Sequence, residues 1–338
     1  MIEAKPGTFT KTTQFEILRL LKENEGNFVS GAGLAEKLAI SRPGVWKHIK
    51  RLRAQGYDIQ SRSRLGYRLL DVPDSLAREE IVPNLKTSWL AHSYHYLKTI
   101  GSTNDYALLL AAEDAPHGAL VVAEEQTKGR GRLRREWISY PNCGIYLSIL
   151  LRHLLPVRVA PQSTHVGSLA LVKTLREEFG IAASIKWPND VLINGRKAAG
   201  ILTETQSDQD FCRISVMGIG INVNHSREQL EGPFRYPATS IAIEAGFAVK
   251  RQRVLLQFLS RFERDYDRFL REGLSVLIPE IEAHLGILGK NIKVICGDRE
   301  ITGKAQGLTP EGALLLLGQN GSKEIVWAGD VSRVEGAA

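Results

Sequence analysis

The segment that decides the fold lies near the middle of the chain and is rich in glycine and arginine. Residues 126–137 read QTKGRGRLRREW, so that Gly129 and Gly131 alternate with Arg130 and Arg132. Glycine permits close approach of the backbone to a ligand, and arginine presents a rigid fork of N–H donors that suits carboxylates and phosphates. Taken alone, the segment fits a surface basic loop or an RNA-binding turn as well as an anion-binding loop. It has neither the ending of a Walker loop nor the spacing of a dinucleotide-binding loop.

Three further segments place polar groups at the ends of predicted helices or strands. Residues 101–104 read GSTN, which also fits a simple helix N-cap. Residues 186–190 read KWPND, where Lys186 can bring a positive charge into a pocket, although a strand that ends in a turn has the same pattern. Residues 218–224 read GIGINVN, which also fits a buried strand with a bulge. No single segment among these decides the function.

The positive charge of the chain is concentrated in its first fifth. The 338 residues have a formal net charge of +7. Residues 1–72 contain 13 Lys and Arg against 7 Asp and Glu, whereas the remainder contains 31 against 30. This asymmetry indicates a nucleic-acid-binding module joined to a nearly neutral enzyme or sensor, although a solvated basic surface would give the same balance.

The pattern of the first 70 residues predicts three helices and a hairpin. Apolar residues recur with helical spacing at 14–21, 34–38 and 45–52. Ser41 and Pro43 are suited to begin the third helix, which we expect at 41–54. Strands at 57–60 and 67–70 flank a basic turn, so the segment resembles a winged helix-turn-helix. The predicted DNA contacts are Ser41, Arg42, Lys47, His48, Lys50 and Arg51 of the recognition helix, with Arg62 and Arg64 of the hairpin.

The rest of the chain predicts a mixed sheet followed by a small β-barrel. Apolar runs at 119–123, 145–151, 191–193, 199–202 and 214–223 predict strands, and helices are expected at 103–113, 163–179 and 252–271. Short strands separated by glycine-containing turns are expected at 292–295, 300–305, 313–317 and 324–327. We therefore predict an α+β protein with a winged helix-turn-helix domain at 1–72, a mixed α/β domain at 73–284 and a small SH3-like β-barrel at 285–338.

Composition argues against several classes of protein. The chain is 43% hydrophobic and 24% charged, which is typical of globular proteins, and it contains no 18-residue apolar run. Residues 1–10 lack the apolar segment of an export signal. Cys143, Cys212 and Cys296 form neither a metal-ligand spacing nor an even disulfide set. We expect a cytoplasmic protein in a reducing compartment, without a membrane partner.

In their order along the chain, these segments resemble the biotin–protein ligase family. The order is STN at 102–104, GRGR and Trp137, KWPND, GIGINVN and ATS at 238–240. With the winged helix and the C-terminal barrel, residues 12–335 are similar to the bifunctional form that also represses the biotin operon. The chain departs from the family at Arg134, where glycine is usual. This departure bears on the mobility of the loop and not on the placement of Arg130 and Arg132.

The resemblance implies an ATP-dependent ligase with two half-reactions. The carboxylate of biotin attacks the α-phosphate of ATP, which gives biotinyl-5′-AMP and diphosphate. A lysine of a biotin carboxyl carrier protein, from acetyl-CoA carboxylase or a similar carboxylase, then attacks this adenylate and releases AMP. Because a carboxylate and a triphosphate repel each other, the implied catalytic residues are the cations Lys186, Arg130 and Arg132. Mg²⁺ neutralises the remaining phosphate charge, and we predict no metal ligands from the protein.

The implied binding residues form two overlapping sets. The biotin-binding set is Ser102, Thr103, Asn104, Gln126, Arg130, Gly131, Arg132 and Lys186. The adenylate- and ATP-binding set is Arg130, Arg132, Trp137, Lys186, Asn189 and Asn222. Trp137 fits a core tryptophan equally well. The family also implies a homodimer that binds operator DNA when biotinyl-5′-AMP is bound as co-repressor.

Three alternative functions remain open from the sequence. The first is a lipoate ligase of the same fold, which exchange of diphosphate with lipoate in place of biotin would identify. The second is a transcription factor whose catalytic domain only senses its ligand, against which Lys186, Arg130 and Arg132 argue. The third is a ligase whose N-terminal domain no longer binds DNA, against which the basic helix and hairpin argue.

Overall fold

The computed structural model describes residues 13–232, 236–318 and 320–332, so the expectation about residues 1–10 lies outside the described range. The chain divides into two compact units, with the first ending at Asp74 and the second beginning at Ser75. Both units have hydrophobic cores of their own. The boundary lies within the polar, proline-containing segment at 71–74.

The described part of the first unit contains three helices and one hairpin. The elements are α1 (Thr13–Glu23), α2 (Gly31–Lys37), α3 (Arg42–Ala54), β1 (Asp58–Arg62) and β2 (Gly66–Asp71). The strands are antiparallel. Its core contains Ile17, Leu34, Val45, Ile49 and Leu52, all at most 1% exposed. The predicted winged helix-turn-helix is therefore confirmed.

Local chemistry explains where the recognition helix and the hairpin begin. The Ser41 hydroxyl accepts a hydrogen bond from Gly44 N at 3.2 Å, as expected of an N-cap. At Gly66, which has a φ of +107°, a β-carbon would lie 2.1 Å from the carbonyl oxygen of Val29. Val29 and Tyr67 exchange backbone hydrogen bonds of 2.7 and 2.9 Å. These contacts fix the hairpin against the segment that precedes α2.

The second unit is built on a seven-stranded mixed sheet. Its strands are β3 (Tyr94–Ile100), β4 (Leu120–Gln126), β5 (Gly144–Pro156), β6 (Ala183–Lys186), β7 (Asp190–Ile193), β8 (Arg196–Ser207) and β9 (Phe211–Asn222). The order across the sheet is β3-β4-β5-β9-β8-β7-β6. β3 and β4 are parallel, and every other pair is antiparallel. The five predicted strands are confirmed, whereas β3 and β6 were not predicted.

Helices cover the sheet and complete the main core. They are α4 (Arg78–Ile81), α5 (Thr103–Ala112), α6 (Ser163–Phe179), α7 (Ile241–Ala245), α8 (Arg251–Glu272) and α9 (Ile278–Ala283). α5 packs on β4, β5 and β9, while α6 packs on β6, β7 and β8 and against α8. The three predicted helices end within one residue of their observed bounds. No helix of the described ranges is long and apolar enough to span a membrane, and the three cysteines are free thiols.

The C-terminal part of the second unit is a five-stranded antiparallel sheet. Its strands are β10 (Asn291–Cys296), β11 (Arg299–Leu308), β12 (Leu314–Leu317), β13 (Lys323–Val326) and β14 (Asp330–Ser332), in the order β13-β12-β11-β10-β14. The predicted small β-domain is confirmed, with β14 in addition. It is attached to β6 and the following turn, because Gly286 N donates to Ile185 O at 3.0 Å and Trp187 Nε1 donates to Gly312 O at 3.0 Å.

Candidate functional site

A cleft over β8 and β9 brings together every ligand-binding residue that the sequence predicts. The loop at 126–137, the start of α5, the turn between β6 and β7, and the end of β9 supply its walls. The predicted residues that line it are Ser102, Thr103, Asn104, Gln126, Arg130, Gly131, Arg132, Trp137, Lys186, Asn189 and Asn222. Segments that are more than 100 residues apart in sequence therefore converge on one site.

The turn between β6 and β7 places a lysine and an asparagine in the cleft. Lys186 ends β6 and is only 8% exposed, and its Nζ lies 3.0 Å from the ring centroid of Tyr236. Asn189 Nδ2 donates to Ile201 O at 2.9 Å, which leaves Asn189 Oδ1 directed at the arginine loop. The simple interpretation of KWPND as a strand that ends in a turn is also correct, because this turn itself forms part of the cleft wall.

The two arginines of the loop have different partners. The Arg130 guanidinium donates to both carboxylate oxygens of Asp105 on α5, at 2.8 and 2.6 Å. These hydrogen bonds lower the pKa of Asp105 and raise that of Arg130. The Arg132 guanidinium donates to Asn189 Oδ1 at 3.1 Å and to Gly329 O at 3.3 Å. Arg132 thus connects the loop to the KWPND turn and to the C-terminal sheet.

The loop contains two residues with left-handed backbone geometry. Leu133 and Arg134 both have a φ of +56°, in a region that favours glycine and costs other residues about 1–2 kcal/mol each. Leu133 is 73% exposed, so its side chain does not compensate by burial. Arg134, which replaces the glycine usual in the family, therefore restricts the loop through its backbone as well as adding a charge.

Trp137 packs on the glycines of the sheet and lines the cleft at the same time. A β-carbon at Gly220 would lie 2.3 Å from indole Cε2, and one at Gly200 would lie 3.1 Å from Cζ3. A β-carbon at Gly129 would likewise lie only 2.4 Å from the carbonyl oxygen of Trp137. The indole Nε1 is buried and has no hydrogen-bond partner among the described residues. The core and ligand interpretations of Trp137 are therefore compatible, since a packed ring still has a free donor.

A network of polar side chains surrounds the start of α5. Thr103 N and Thr103 Oγ1 both donate to Gln126 Oε1, at 2.8 and 3.0 Å. Ser102 occupies the N-cap position of α5, as the simple interpretation expects, but its side chain makes no capping hydrogen bond, and Gln126 Oε1 accepts from Thr103 N instead. Ser148 Oγ, on β5, lies 2.5 Å from Asn104 Oδ1 and 2.8 Å from Thr103 Oγ1. These contacts hold the polar side chains in place before a ligand arrives.

Two further hydrogen bonds complete this network. Asn104 Nδ2 donates to Glu204 Oε2 at 2.6 Å, and Gln126 Nε2 donates to Ser139 Oγ at 3.1 Å. A β-carbon at Gly218 would lie 2.2 Å from Asn104 Oδ1, so this strand position has no room for a larger residue. The alternating glycines of GIGINVN thus admit Asn104 and Trp137 to the floor of the cleft.

The structure adds residues that sequence reasoning did not select. Lys197 Nζ lies 2.8 Å from Asp190 Oδ1 and 5.4 Å from the Trp137 ring centroid, and Lys197 lines the cleft. Tyr236 and Asp330 also line the cleft. The available signal for Lys197 was its position just after KWPND, whereas Tyr236 and Asp330 have no local sequence signal. Asn222 lies deeper, and its Nδ2 donates to Thr239 O at 3.1 Å.

The described residues hold no group of three or more His, Cys, Asp and Glu side chains that could bind a metal ion. Acidic residues do line the cleft, at Glu136, Asp190 and Asp330. Carboxylates used singly or in pairs suit Mg²⁺ that is also bound by nucleotide phosphates. Because Asp190 is paired with Lys197 and Asp330 with Arg135, a magnesium ion would be held mainly by the phosphates of a bound nucleotide.

The predicted DNA-binding residues lie on α3 and the hairpin, and most are exposed. Ser41, Arg42, Lys47, Lys50, Arg51, Arg62 and Arg64 are all exposed. His48 is half-buried, and burial together with Arg51 and Lys47 lowers its pKa. A histidine with a pKa below its usual 6.5 is neutral at pH 7, so His48 adds no positive charge to this surface.

Three protein-family models match successive parts of the chain. A helix-turn-helix (HTH) domain matches residues 13–68, the biotin/lipoate A/B protein ligase family matches residues 96–222, and the biotin protein ligase C-terminal domain matches residues 287–334. Their order is the order of domains that the sequence predicts.

Whole-chain relatives have the same organisation. The chain is 38% identical over 314 residues to the bifunctional ligase/repressor BirA of Bacillus spizizenii. This alignment covers 93% of this chain and 97% of the relative. The chain is 30% identical over 305 residues to the protein of that name from Escherichia coli, covering 90% and 92%. The solved biotin protein ligase of Aquifex aeolicus in complex with biotin and ATP is similar at 31% identity and a TM-score of 0.60, covering 71% of this chain and 98% of that one. The chain therefore belongs to the biotin–protein ligase family, with the domains of its bifunctional ligase/repressor members.

Proposed function

We propose that this protein is an ATP-dependent biotin–protein ligase that also represses transcription of biotin synthesis genes. The observation that carries the ligase is the convergence of Lys186, Arg130 and Arg132 on one cleft that also contains a preformed polar network. Relatives that match both parts of the chain are called bifunctional ligase/repressors. The proposed use of ATP and the proposed binding of operator DNA support a cytoplasmic location.

The first half-reaction requires cations between two anions. Lys186, buried at the end of β6, holds its ammonium where the carboxylate of biotin and the α-phosphate of ATP meet. Attack by the carboxylate oxygen forms the new P–O bond, and the bond to the leaving diphosphate breaks. A fixed ammonium stabilises the negative charge that grows on the phosphoryl oxygens, and it needs no reorganisation to do so. Mg²⁺ bound to ATP would neutralise the remaining phosphate charge, while Lys186 supplies the fixed positive charge of the protein.

The arginines retain the adenylate until the carrier protein arrives. Arg132 is held by Asn189 and by the backbone of the C-terminal sheet, so its fork is directed over the cleft. Arg130 is oriented by Asp105, which fixes its guanidinium at the edge of the loop. In the second half-reaction a lysine amine of a biotin carboxyl carrier protein attacks the acyl carbon, and AMP leaves.

The polar residues at the start of α5 suit the neutral ureido ring of biotin. Ser102 has a buried hydroxyl that makes no helix cap, so it is available to a ligand. Thr103 already bonds to Gln126, and Asn104 bonds to Ser148, so the first task of these side chains is to hold the pocket in shape. Trp137, Asn189 and Asn222 line the part of the cleft assigned to the adenylate. The indole Nε1 of Trp137 has no partner among the described residues and can donate a hydrogen bond to the adenylate.

In this proposal residues 1–72 carry the repressor activity and residues 73–284 carry the ligase activity. The small β-domain at 285–338 supports the ligase through Gly329 and Asp330. Biotinyl-5′-AMP acts as co-repressor by favouring a homodimer that binds operator DNA. A chain that lacks residues 1–72 should ligate biotin and fail to bind DNA. Operator binding by this shortened chain would overturn the assignment.

The decisive experiment for the ligase uses the full chain with biotin, Mg²⁺–ATP and a purified biotin carrier domain. We expect the intact mass of the carrier to rise by one biotinyl group, at a single lysine, only when ATP is present. A parallel reaction contains lipoate in place of biotin. Transfer of lipoate and not biotin would instead support the lipoate ligase, and transfer of neither would support a domain that only senses its ligand.

A further inference from the structure

The recognition helix carries one large apolar side chain that is not part of any core. Trp46 lies in the middle of α3 and is 55% exposed. The apolar neighbours Val45, Ile49 and Leu52 are at most 1% exposed and form the core of the first unit. The orientation of α3 is therefore fixed by three buried residues, and Trp46 lies beside this buried stripe on the exposed surface of the same helix.

The outward surface around Trp46 is cationic. Lys50 lies one turn further along α3, and its Nζ is 5.4 Å from the Trp46 ring centroid. Arg42 lies one turn earlier, and residues four apart share a helix face. Arg42, Lys47 and Lys50 are exposed. The indole is thus the apolar centre of a surface that otherwise attracts anions.

We propose that Trp46 reads sequence in the major groove of DNA by apolar contact with the C5-methyl group of thymine. This inference rests on the proposed DNA-binding function. Lysine and arginine bonds to phosphates position a protein on DNA but carry no sequence information. The thymine methyl is the apolar group that base pairs present in the major groove, into which an α-helix fits. An indole ring flanked by phosphate-binding cations has the chemistry for that contact.

Trp46 and Lys50, one turn apart on α3, therefore have separate roles that experiments can distinguish. Lys50 lies over the ring and carries a charge to the phosphates, so it contributes affinity that falls as salt increases. Trp46 carries no charge, so it contributes base preference without a change in that salt dependence. A replacement at each position distinguishes base reading from phosphate binding.

The first experiment is selection from a library of randomised duplex DNA, using the full chain with biotin and Mg²⁺–ATP. We expect the wild-type protein to enrich one motif, and Trp46→Ala to lose the preference for thymine at one position in it. Circular dichroism of each variant checks that the exposed substitution leaves the fold intact. Enrichment of the same motif by wild type and Trp46→Ala would overturn the inference. Failure of the wild type to enrich any motif would instead overturn the proposed repressor function.

The second experiment removes only the methyl group. Uracil replaces thymine at the identified position, and binding is measured from low to high salt. We expect uracil to weaken wild-type binding about 5-fold or more, as for a base mismatch, and to leave Trp46→Ala binding unchanged. Lys50→Ala should keep the response to uracil and lower the salt slope by about one. An equal uracil effect in wild type and Trp46→Ala would overturn the inference. The inference would also be overturned if Trp46→Ala lost self-association but kept its DNA binding, because Trp46 would then belong to a protein interface.

Discussion

The indole of Trp137 lies directly on the backbone of Gly220, where a β-carbon would come within 2.3 Å of Cε2. Gly220→Ala must therefore displace the ring from the cleft wall. We expect a loss of about 1–3 kcal/mol in the free energy of unfolding, as for overpacking in other cores, and weaker binding of biotin or ATP. Chemical denaturation and the KM for each substrate measure the two effects.

A matched control for this substitution lies in the first unit. Gly33 is helical, and a β-carbon there meets nothing closer than 3.8 Å. Gly33→Ala should leave both KM values unchanged. Unaltered substrate binding in Gly220→Ala would show that the position of Trp137 does not matter for the ligands.

Lys186 is expected to be essential for adenylate formation. Lys186→Met keeps much of the side-chain volume and removes the charge between the two anions. The rate of biotin-dependent exchange of diphosphate into ATP should fall by about 10²–10³, the usual cost of removing one such electrostatic group. Lys98→Met, at an exposed position of β3, is the control. Exchange close to the wild-type rate in a folded Lys186→Met protein would refute the role assigned to this lysine.

Arg132 is expected to control how long the adenylate stays bound. Arg132→Gly removes the bonds to Asn189 and Gly329 that close the loop over the cleft. The protein should still form biotinyl-5′-AMP but release it faster, which stopped-flow fluorescence measures. Arg135→Gly is the comparison, because Arg135 donates to Asp330 from the same loop without contacting the KWPND turn. The interpretation fails if both variants release the adenylate at the wild-type rate.

Arg134 offers a test of backbone strain that is separate from charge. Both Arg134→Gly and Arg134→Ala remove the guanidinium, but only glycine relaxes the φ of +56°. Because left-handed geometry costs a non-glycine residue about 1–2 kcal/mol, the glycine variant should be more stable than the alanine variant. Part of this gain is offset by the greater freedom of glycine in the unfolded chain. Equal stability of the two variants in denaturant titrations would show that the loop stores no strain at this position.

Sequence reasoning was most successful where periodicity is strong. The alternation of buried Val45, Ile49 and Leu52 with exposed cations gave α3 to within one residue, with Ser41 as its cap. The two missed strands have weak patterns. β3 contains Tyr, His, Lys and Thr with mostly partial burial, and β6 has only four residues. Their place is decided by pairing with distant strands, which no local pattern shows.

The same limit applies to the cleft. The chemical types of Lys186, Arg130 and Arg132 could be recognised from their segments, because arginines beside glycines and a lysine at the end of an apolar run suit anionic ligands. The partners that orient them could not, since Asp105, Asn189 and Gly329 come from different parts of the chain. Gln126 as the cap of α5 is another case, because the capping residue lies 23 positions from Thr103.

We expect regulation by the adenylate to depend on the geometry of the loop at 126–137. Helix-turn-helix proteins reach useful specificity as dimers whose half-sites follow their two-fold symmetry. This chain has one winged helix in its described residues, so we expect a second protomer to supply the other one. Joining two such modules raises affinity through effective concentration, without new base contacts.

Biotinyl-5′-AMP bound in the cleft would be enclosed by the loop that ends at Trp137, which the bond from Arg132 to Asn189 already holds beside the cleft. We expect the bound adenylate to restrict the loop further and so to complete a dimer surface on the second unit. Coupling of this kind is reciprocal, so DNA should also slow adenylate release. Sedimentation with and without biotinyl-5′-AMP, together with titration of a selected DNA motif, measures both effects. If the ligand changes neither the mass nor the DNA affinity, the regulatory half of the proposed function is wrong and only the ligase remains.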